Sequence, residues 1–371
     1  HPPSKFLAVL RDYEAYHERC TQGVNLMEMG MAGEVPQEGC KYLVWKAMDG
    51  MGNQLLSLVC AFVYSLLTNR VMLIATDSHI DHHICEPFPR SSWILPEGFP
   101  EPKLRTQAKR VFAYLDEALA AATSSQQQQQ NASAFCPGGH SSSPVSVSEP
   151  ELSALRALAP KHLQVYIVCC DHARDHQFFC PTAQRLFTAV NWIFYHSHEY
   201  TLPALYFVPE FREKLNAWFP AHDVFMHASR YLLNPSDRLW ATITRIYKAE
   251  LDGVPRRIGF QARSWKGDYN PTISDQILRC AMEQKLLPKP LRDQPKNPED
   301  ASTPRRPDIS VLVTSLRAEY RDNLHAEYAN HANADGSHVA VWTASNEGWQ
   351  KTGDTGHDET AIVDIWLLSF M

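Results

Sequence analysis

Apolar positions recur along this chain in two rhythms, a period near 3.6 and short unbroken runs. Lys5–Cys20 sets Leu7, Leu10, Tyr13 and His17 on one side, the spacing of a helix with one buried face. Lys41-Tyr-Leu-Val-Trp-Lys46 is a strand-like run; Gly50-Met-Gly-Asn-Gln54 follows, then Leu55–Leu67, apolar almost all round. Val71-Met-Leu-Ile-Ala75 is another strand-like run. Strand, glycine turn, helix and strand in that order predict a right-handed βαβ unit. Leu55–Leu67 falls short of the roughly 20 residues that span a bilayer, so it reads as a buried helix. Strand-like runs return at His162–Val168 and Trp192–Tyr195, with Pro203–Pro209 after them. Asp237–Leu251 predicts a helix that closes a first domain over residues 1–255.

From Arg256 to the last residue the two rhythms alternate. Strands are predicted at Ile258–Ala262, Ile309–Thr314 and His338–Trp342. Helices are predicted at Ser274–Lys285, Arg317–Asn330 and Asp358–Phe370. Such alternation implies an α/β protein with parallel, doubly wound sheets. Leu287–Pro307 is rich in proline and charge and reads as a loop. Residues 101–160 differ in composition, with Gln126–Gln130, Gly138-Gly139 and Ser141–Ser143. Residues 124–149 within them are expected to be disordered or a mobile surface loop.

A chain of 371 residues, 44% hydrophobic, can build two domains with their own cores. Its net charge of −6 gives no electrostatic case for nucleic acid or an anionic membrane. The nine cysteines show no C-x-x-C spacing, so buried thiols and disulfides both remain open. Asn131-Ala-Ser133 is a glycosylation sequon in a polar stretch.

Three places carry candidate chemistry. Arg263 follows the buried run Ile258–Ala262, at the strand end where open α/β sheets bind ligands. A guanidinium there grips a phosphate with two parallel bonds; the competing reading is a solvated surface arginine. Gly50 and Gly52 let the backbone approach a ligand, and the first amides of the next helix face an anion. The turn lacks the third glycine of the dinucleotide fingerprint and the Gly-Lys-Ser/Thr of a Walker loop. Asn53 either bonds a phosphate or sugar oxygen or caps the helix. Asp77-Ser-His-Ile-Asp-His-His83 has metal-ligand residue types but irregular spacing and no second cluster, so no metal site is expected there.

Taken with Ala61–Val71, Cys85-Glu-Pro-Phe-Pro89, Ser92-Trp93, Phe178-Phe-Cys180, Arg230-Tyr-Leu232, Asp275–Leu278, Val311–Leu316 and Leu367-Leu-Ser369, the Gly50–Leu58 stretch resembles the plant xyloglucan fucosyltransferase family. The resemblance runs from about Leu10 to the end, except near 101–160. It implies a two-Rossmann glycosyltransferase fold of the GT-B kind, with Gly50–Asn53 and Arg263 on opposite walls of a cleft. It implies transfer of L-fucose from GDP-fucose to a sugar hydroxyl, with inversion, by a Golgi-lumenal type II membrane protein whose anchor lies outside this sequence. The acceptor implied first is galactose on xyloglucan, α-1,2-linked; arabinogalactan-protein glycans are the alternative acceptor. The setting favours disulfides and a glycan on Asn131, with Cys60 a buried free thiol. Ser315 joins Gly50, Gly52, Asn53 and Arg263 in the expected donor site.

No Asp-x-Asp occurs in the sequence, so Arg263 and backbone amides are expected to stabilise the leaving group without a metal or other cofactor. His227, Arg230 and Tyr231 match the family's His-x-x-Arg-Tyr and are the acceptor-side candidates. Where the family tends to read Asp-Asn-Tyr, this chain has His198-Glu199-Tyr200, making His198 and Glu199 candidate proton acceptors, with a plain polar loop as the competing reading. In the family a further strand and a Ser/Thr-rich turn follow Leu-Leu-Ser. This sequence therefore reads as C-terminally truncated with an incomplete second domain, which admits a second function, a non-catalytic relic or glycan-binding scaffold.

Overall fold

The computed structural model describes residues 2–76, 80–124, 148–168, 174–263, 268–296, 306–344 and 355–371. They form two compact units, one of residues 1–49 and 53–234, the other of 50–52 and 235–371. The division after Asn234 precedes the position 255 read from the sequence, because the helix Asp237–Glu250 packs with the second unit.

In the first unit the chain runs α1 (Ser4–Thr21), α2 (Leu26–Ala32), β1 (Tyr42–Lys46), α3 (Met51–Thr68), β2 (Val71–Ile74), α4 (Glu101–Gln107), β3 (Lys109–Arg110), α5 (Val111–Ser124) and α6 (Glu149–Arg156). It continues through β4 (His162–Ile167), α7 (Asp175–Phe178), α8 (Pro181–Phe187), β5 (Trp192–Ser197), α9 (Leu202–Leu205), α10 (Pro209–Trp218) and α11 (Val224–Leu232). The sheet is parallel, in the order β2-β1-β5-β4-β3. Strands β1, β2 and β5 are buried along almost their whole length because both faces are covered, whereas β4 alternates buried and more exposed positions.

The predicted βαβ unit is present as β1-α3-β2. Helix α3 is apolar on nearly every side and mostly buried, as a core helix must be. Helix α6 precedes the strand read at His162–Val168: Ser148 donates from its backbone N and its hydroxyl to Glu151, fixing the start of the helix. In the stretch Pro203–Pro209 that follows β5, Pro203 sits in the first turn of α9, where a missing N–H costs nothing.

Two covalent and polar ties hold this unit. Cys20 and Cys40 form a disulfide joining the end of α1 to the start of β1, and Cys180 is also disulfide-bonded. Cys60 is a buried free thiol, as expected, and burial pushes it up to about 11. Arg70 is fully buried. It donates to the carbonyls of Phe187 (2.6 Å), Val190 (3.0 Å) and Tyr42 (3.4 Å), so its charge meets the carbonyl end of α8.

The second unit contains α12 (Asp237–Glu250), β6 (Arg256–Ala262), α13 (Pro271–Glu283), β7 (Pro290–Pro295), β8 (Ile309–Ser315), α14 (Ala318–Asn330), β9 (His331–Asn333), β10 (Val339–Trp342) and α15 (Thr355–Leu368). Strands β10-β8-β6 form a parallel sheet. The predicted loop 287–307 instead contributes β7, which pairs antiparallel with β9. Gly259, inside β6, has a packing reason: a Cβ there would lie 2.6 Å from Leu368. Trp240 of α12 meets Trp366 of α15 edge-on at 5.5 Å, and Arg238 pairs with Glu359, which seats α12 in this unit.

Candidate active site

Parallel strands bring their carboxyl ends to one edge of a sheet, and the side chains that end or follow them gather there. In the first unit β1 ends at Lys46 and β5 at Ser197, with Lys46 and His196 in register. Asp49, just beyond β1, takes a left-handed backbone (φ 59°), a conformation aspartate tolerates better than most residues. Gln54 Nε2 donates to its carbonyl at 2.7 Å. The Asp49 carboxylate meets His198 Nδ1, and His198 Nε2 lies 3.1 Å from Glu199 Oε1. The Glu199 amide donates to Ser197 Oγ at 3.0 Å, which sets the turn after β5. The structure thus brings His198 and Glu199 together with Asp49, a residue sequence reasoning missed.

A buried charged group stands at the same edge. Glu101, 4% exposed, accepts from Arg105 Nε at 2.7 Å and lies 3.7 Å from His196 and 4.0 Å from Lys46. Burial alone would raise the Glu101 carboxyl, but His196, Arg105 and Lys46 together hold it below the usual carboxylate range. Burial likewise lowers His196, against the opposing pull of Glu101. Nothing in the sequence marks Glu101, which opens the stretch whose composition diverges.

Gly50 and Gly52 flank the start of α3. A Cβ on Gly52 would meet nothing within 4 Å, so no neighbour demands a glycine there. Asn53 is the third residue of α3, inside its first turn, and so is not the residue before the helix that caps it.

In the second unit Ala262 is in register with Ser315, so Arg263 emerges beside the end of β8. Arg263 is exposed. Ser315 Oγ accepts from the Arg317 amide at 3.2 Å, turning the chain into α14. Arg317 pairs with Asp268 at 3.2 Å, and Asn270, whose side chain caps α13, donates its amide to Tyr320 Oη at 3.1 Å. Two arginines and a serine hydroxyl therefore follow two adjacent parallel strands, a donor set suited to an anion. Sequence reasoning missed Arg317, although it follows a buried strand just as Arg263 does.

The other candidates lie elsewhere in the first unit. His227 is buried, with Nε2 3.1 Å from Asp223, and its ring stacks on Phe219. Tyr231 Oη donates to Glu14 at 2.8 Å and its ring stacks on Phe62, while Arg230 is exposed. Asn131 and residues 77–79 lie outside the described residues. Among the described residues no three His, Cys, Asp or Glu side chains group as metal ligands.

The family model described as Xyloglucan fucosyltransferase matches residues 1–371. The chain is 32% identical over 381 residues to a galactoside 2-alpha-L-fucosyltransferase of Arabidopsis thaliana, covering 99% of this chain and 62% of that protein. It is 31% identical over 376 residues to the galactoside 2-alpha-L-fucosyltransferase of Pisum sativum, covering 99% and 61%. The chain therefore spans about 62% of the length of such relatives. Among solved structures, Arabidopsis thaliana FUT1, an arginine-to-lysine mutant in complex with GDP, matches with a TM-score of 0.75 and 28% identity over 100% of this chain and 74% of that one. The α/β architecture expected from the sequence is thus that of GT-B-like fucosyltransferases.

Proposed function

Because the chain belongs to the xyloglucan fucosyltransferase family, we propose that it serves a galactoside α-1,2-L-fucosyltransferase, moving fucose from GDP-fucose to galactose on a cell-wall glycan in the Golgi lumen. The observation that carries this reading is the placement of Arg263, Ser315 and Arg317 after adjacent parallel strands. Departure of GDP leaves charge on the pyrophosphate, and an arginine fork there favours the transition state over the ground state. Gly50, Gly52 and Asn53 are the other donor-binding candidates, the Cβ position of Gly52 being open among the described residues. No metal is assigned to the reaction.

For inversion, the acceptor hydroxyl oxygen bonds to fucose C1 as the bond from C1 to the pyrophosphate oxygen breaks. The hydroxyl proton needs an acceptor. Both His198 nitrogens face carboxylates, Nδ1 that of Asp49 and Nε2 that of Glu199. His198 is then a bridge that positions Glu199, and the Glu199 carboxylate takes the proton.

The test supplies radiolabelled GDP-fucose with xyloglucan and with arabinogalactan to the full-length protein and its Glu199→Gln variant. Transfer to xyloglucan galactose, lowered at least about a hundredfold by Glu199→Gln, is expected. Full activity in that variant removes Glu199 as the base. Transfer to neither polymer by the wild type leaves the glycan-binding scaffold.

A further inference from the structure

A cavity of about 400 Å³ opens at the amino-terminal edge of the first unit's sheet, between the end of α3 and helices α8 and α10. Strand β2 begins at Val71, directly after the cavity residues Thr68, Asn69 and Arg70. The candidate active site lies at the opposite, carboxyl ends of these strands. The floor is buried carbon: Tyr64, Leu67, Phe187, Val208 and Phe211 are each at most 7% exposed. The size suits a small ligand, and such a floor suits an apolar body. Tyr64 offers it only a ring, because its hydroxyl donates to Gln184 Oε1 at 2.9 Å.

The charges on the lining are unbalanced. Arg70, Arg185 and Lys214 stand against one carboxylate, Glu210. Glu210 is engaged by Arg185 at 2.9 Å, in an exposed pair. Arg70, 1% exposed, is held by three carbonyls, and among the described residues no carboxylate pairs with it. An arginine stays charged on burial, and a charge kept from water is weakly screened, so its field reaches the cavity. Lys214 Nζ donates to the Leu67 carbonyl at 3.0 Å, and an ammonium has further protons to give. Lys41, which donates to the Thr188 carbonyl, adds positive charge at the same edge. Burial, then repulsion from Arg70 and Arg156, lowers it below the usual lysine range.

Floor and rim together select a ligand. A neutral apolar molecule would leave the cations uncompensated, and inorganic phosphate would leave the carbon floor wet. We propose that this cavity binds a compact amphipathic monoanion, a ring system carrying one carboxylate or sulfonate, with the ring against Phe187 and Phe211 and the anionic group at Lys214. The site lies at the far end of the strands from the one assigned to GDP-fucose, and it stands independently of the proposed transfer.

The experiment is a fluorescence titration of the full-length protein, with GDP in excess to fill the nucleotide site. The probes are anilinonaphthalene sulfonate and its uncharged analogue phenylnaphthylamine. One saturable site per chain is expected for the sulfonate, with the analogue bound at least about tenfold more weakly. Lys214→Gln, whose amide can still donate to Leu67, should weaken the sulfonate about tenfold and leave the analogue unchanged. Glu210→Gln removes the repelling carboxylate and should tighten the sulfonate severalfold. These opposite signs separate recognition of charge from loss of packing, because a merely apolar patch would answer to neither substitution. Should Lys214→Gln unfold, as circular dichroism would show, Arg185→Gln takes its place with the same expected direction. Equal affinities for the two probes, no saturable sulfonate binding, or sulfonate binding unmoved by these substitutions overturns the site.

Discussion

His17 turns burial into a pH-dependent stability. It lies on α1 with no exposed surface, its ring 4.3 Å from Phe88. Nε2 stands 3.1 Å from the Met72 carbonyl, which can only accept, so Nε2 carries the proton. Nδ1 then accepts from Ser91 Oγ at 2.8 Å. Protonating Nδ1 breaks this arrangement and buries a charge, and burial pushes His17 down to about 4. The unfolded histidine titrates near 6.5. Above that pH both states are neutral and nothing is lost. Between about 6.5 and about 4 only the unfolded chain binds the proton, so stability falls as pH falls; below about 4 the loss is complete. At roughly 1.4 kcal/mol per pH unit the total is about 3 kcal/mol. The assay is urea denaturation followed by tryptophan fluorescence at steps from pH 7.5 to 4.5, on wild type and His17→Gln. Glutamine can keep both bonds but cannot titrate. Wild type should lose about 2–3 kcal/mol more than the variant over that range. Parallel curves would refute the reasoning, since other groups that titrate, such as His196 and Glu101, are common to both proteins.

Arg263→Lys replaces a fork with a point charge, so GDP affinity by calorimetry on the full-length protein should fall about tenfold; an unchanged affinity would make Arg263 structural. Fucosyl transfer by the full-length protein should persist in excess EDTA, and loss restored by manganese or magnesium would bring a metal into the mechanism. Arg70→Met strips three buried carbonyls of their donor, so denaturation should show a loss of roughly 3 kcal/mol, whereas a loss under about 1 kcal/mol would mean that water replaces the guanidinium.

Strands were the most legible part of the fold, because parallel strands covered on both faces read as unbroken apolar runs. Tyr42–Lys46, Val71–Ile74 and Ile309–Ser315 all lie where such runs fall. Strand β7, Pro290–Pro295, was invisible for the opposite reason: it is mostly exposed, proline-flanked and paired only with β9. The domain division was misplaced because helix Asp237–Glu250 is amphipathic, and periodicity reports that a face is buried without reporting against what. At the candidate site, Arg263 and Ser315 each end a readable strand, so sequence placed them; their registration as neighbours came from pairing β6 with β8. Asp49 and Glu101 left no signal, since their significance is contact with His198, and with Lys46 and His196, all far away along the chain.

Timing during synthesis follows from the strand order. Strand β1 has β2 on one side and β5 on the other, and Tyr42 pairs with Trp192, about 150 residues later. At 5–20 residues per second a ribosome needs about 8–30 s to deliver that partner. Through this interval one edge of β1 is unpaired and the apolar helix α3 has only part of its cover, the condition under which nascent chains aggregate. The Cys20–Cys40 link, by contrast, can close as soon as both cysteines reach an oxidising compartment, fastening α1 beside the waiting strand. Slowing translation between residues 75 and 190 would lengthen the exposure without altering the finished protein, so soluble yield, not activity per molecule, is where synonymous codon changes in that stretch would register.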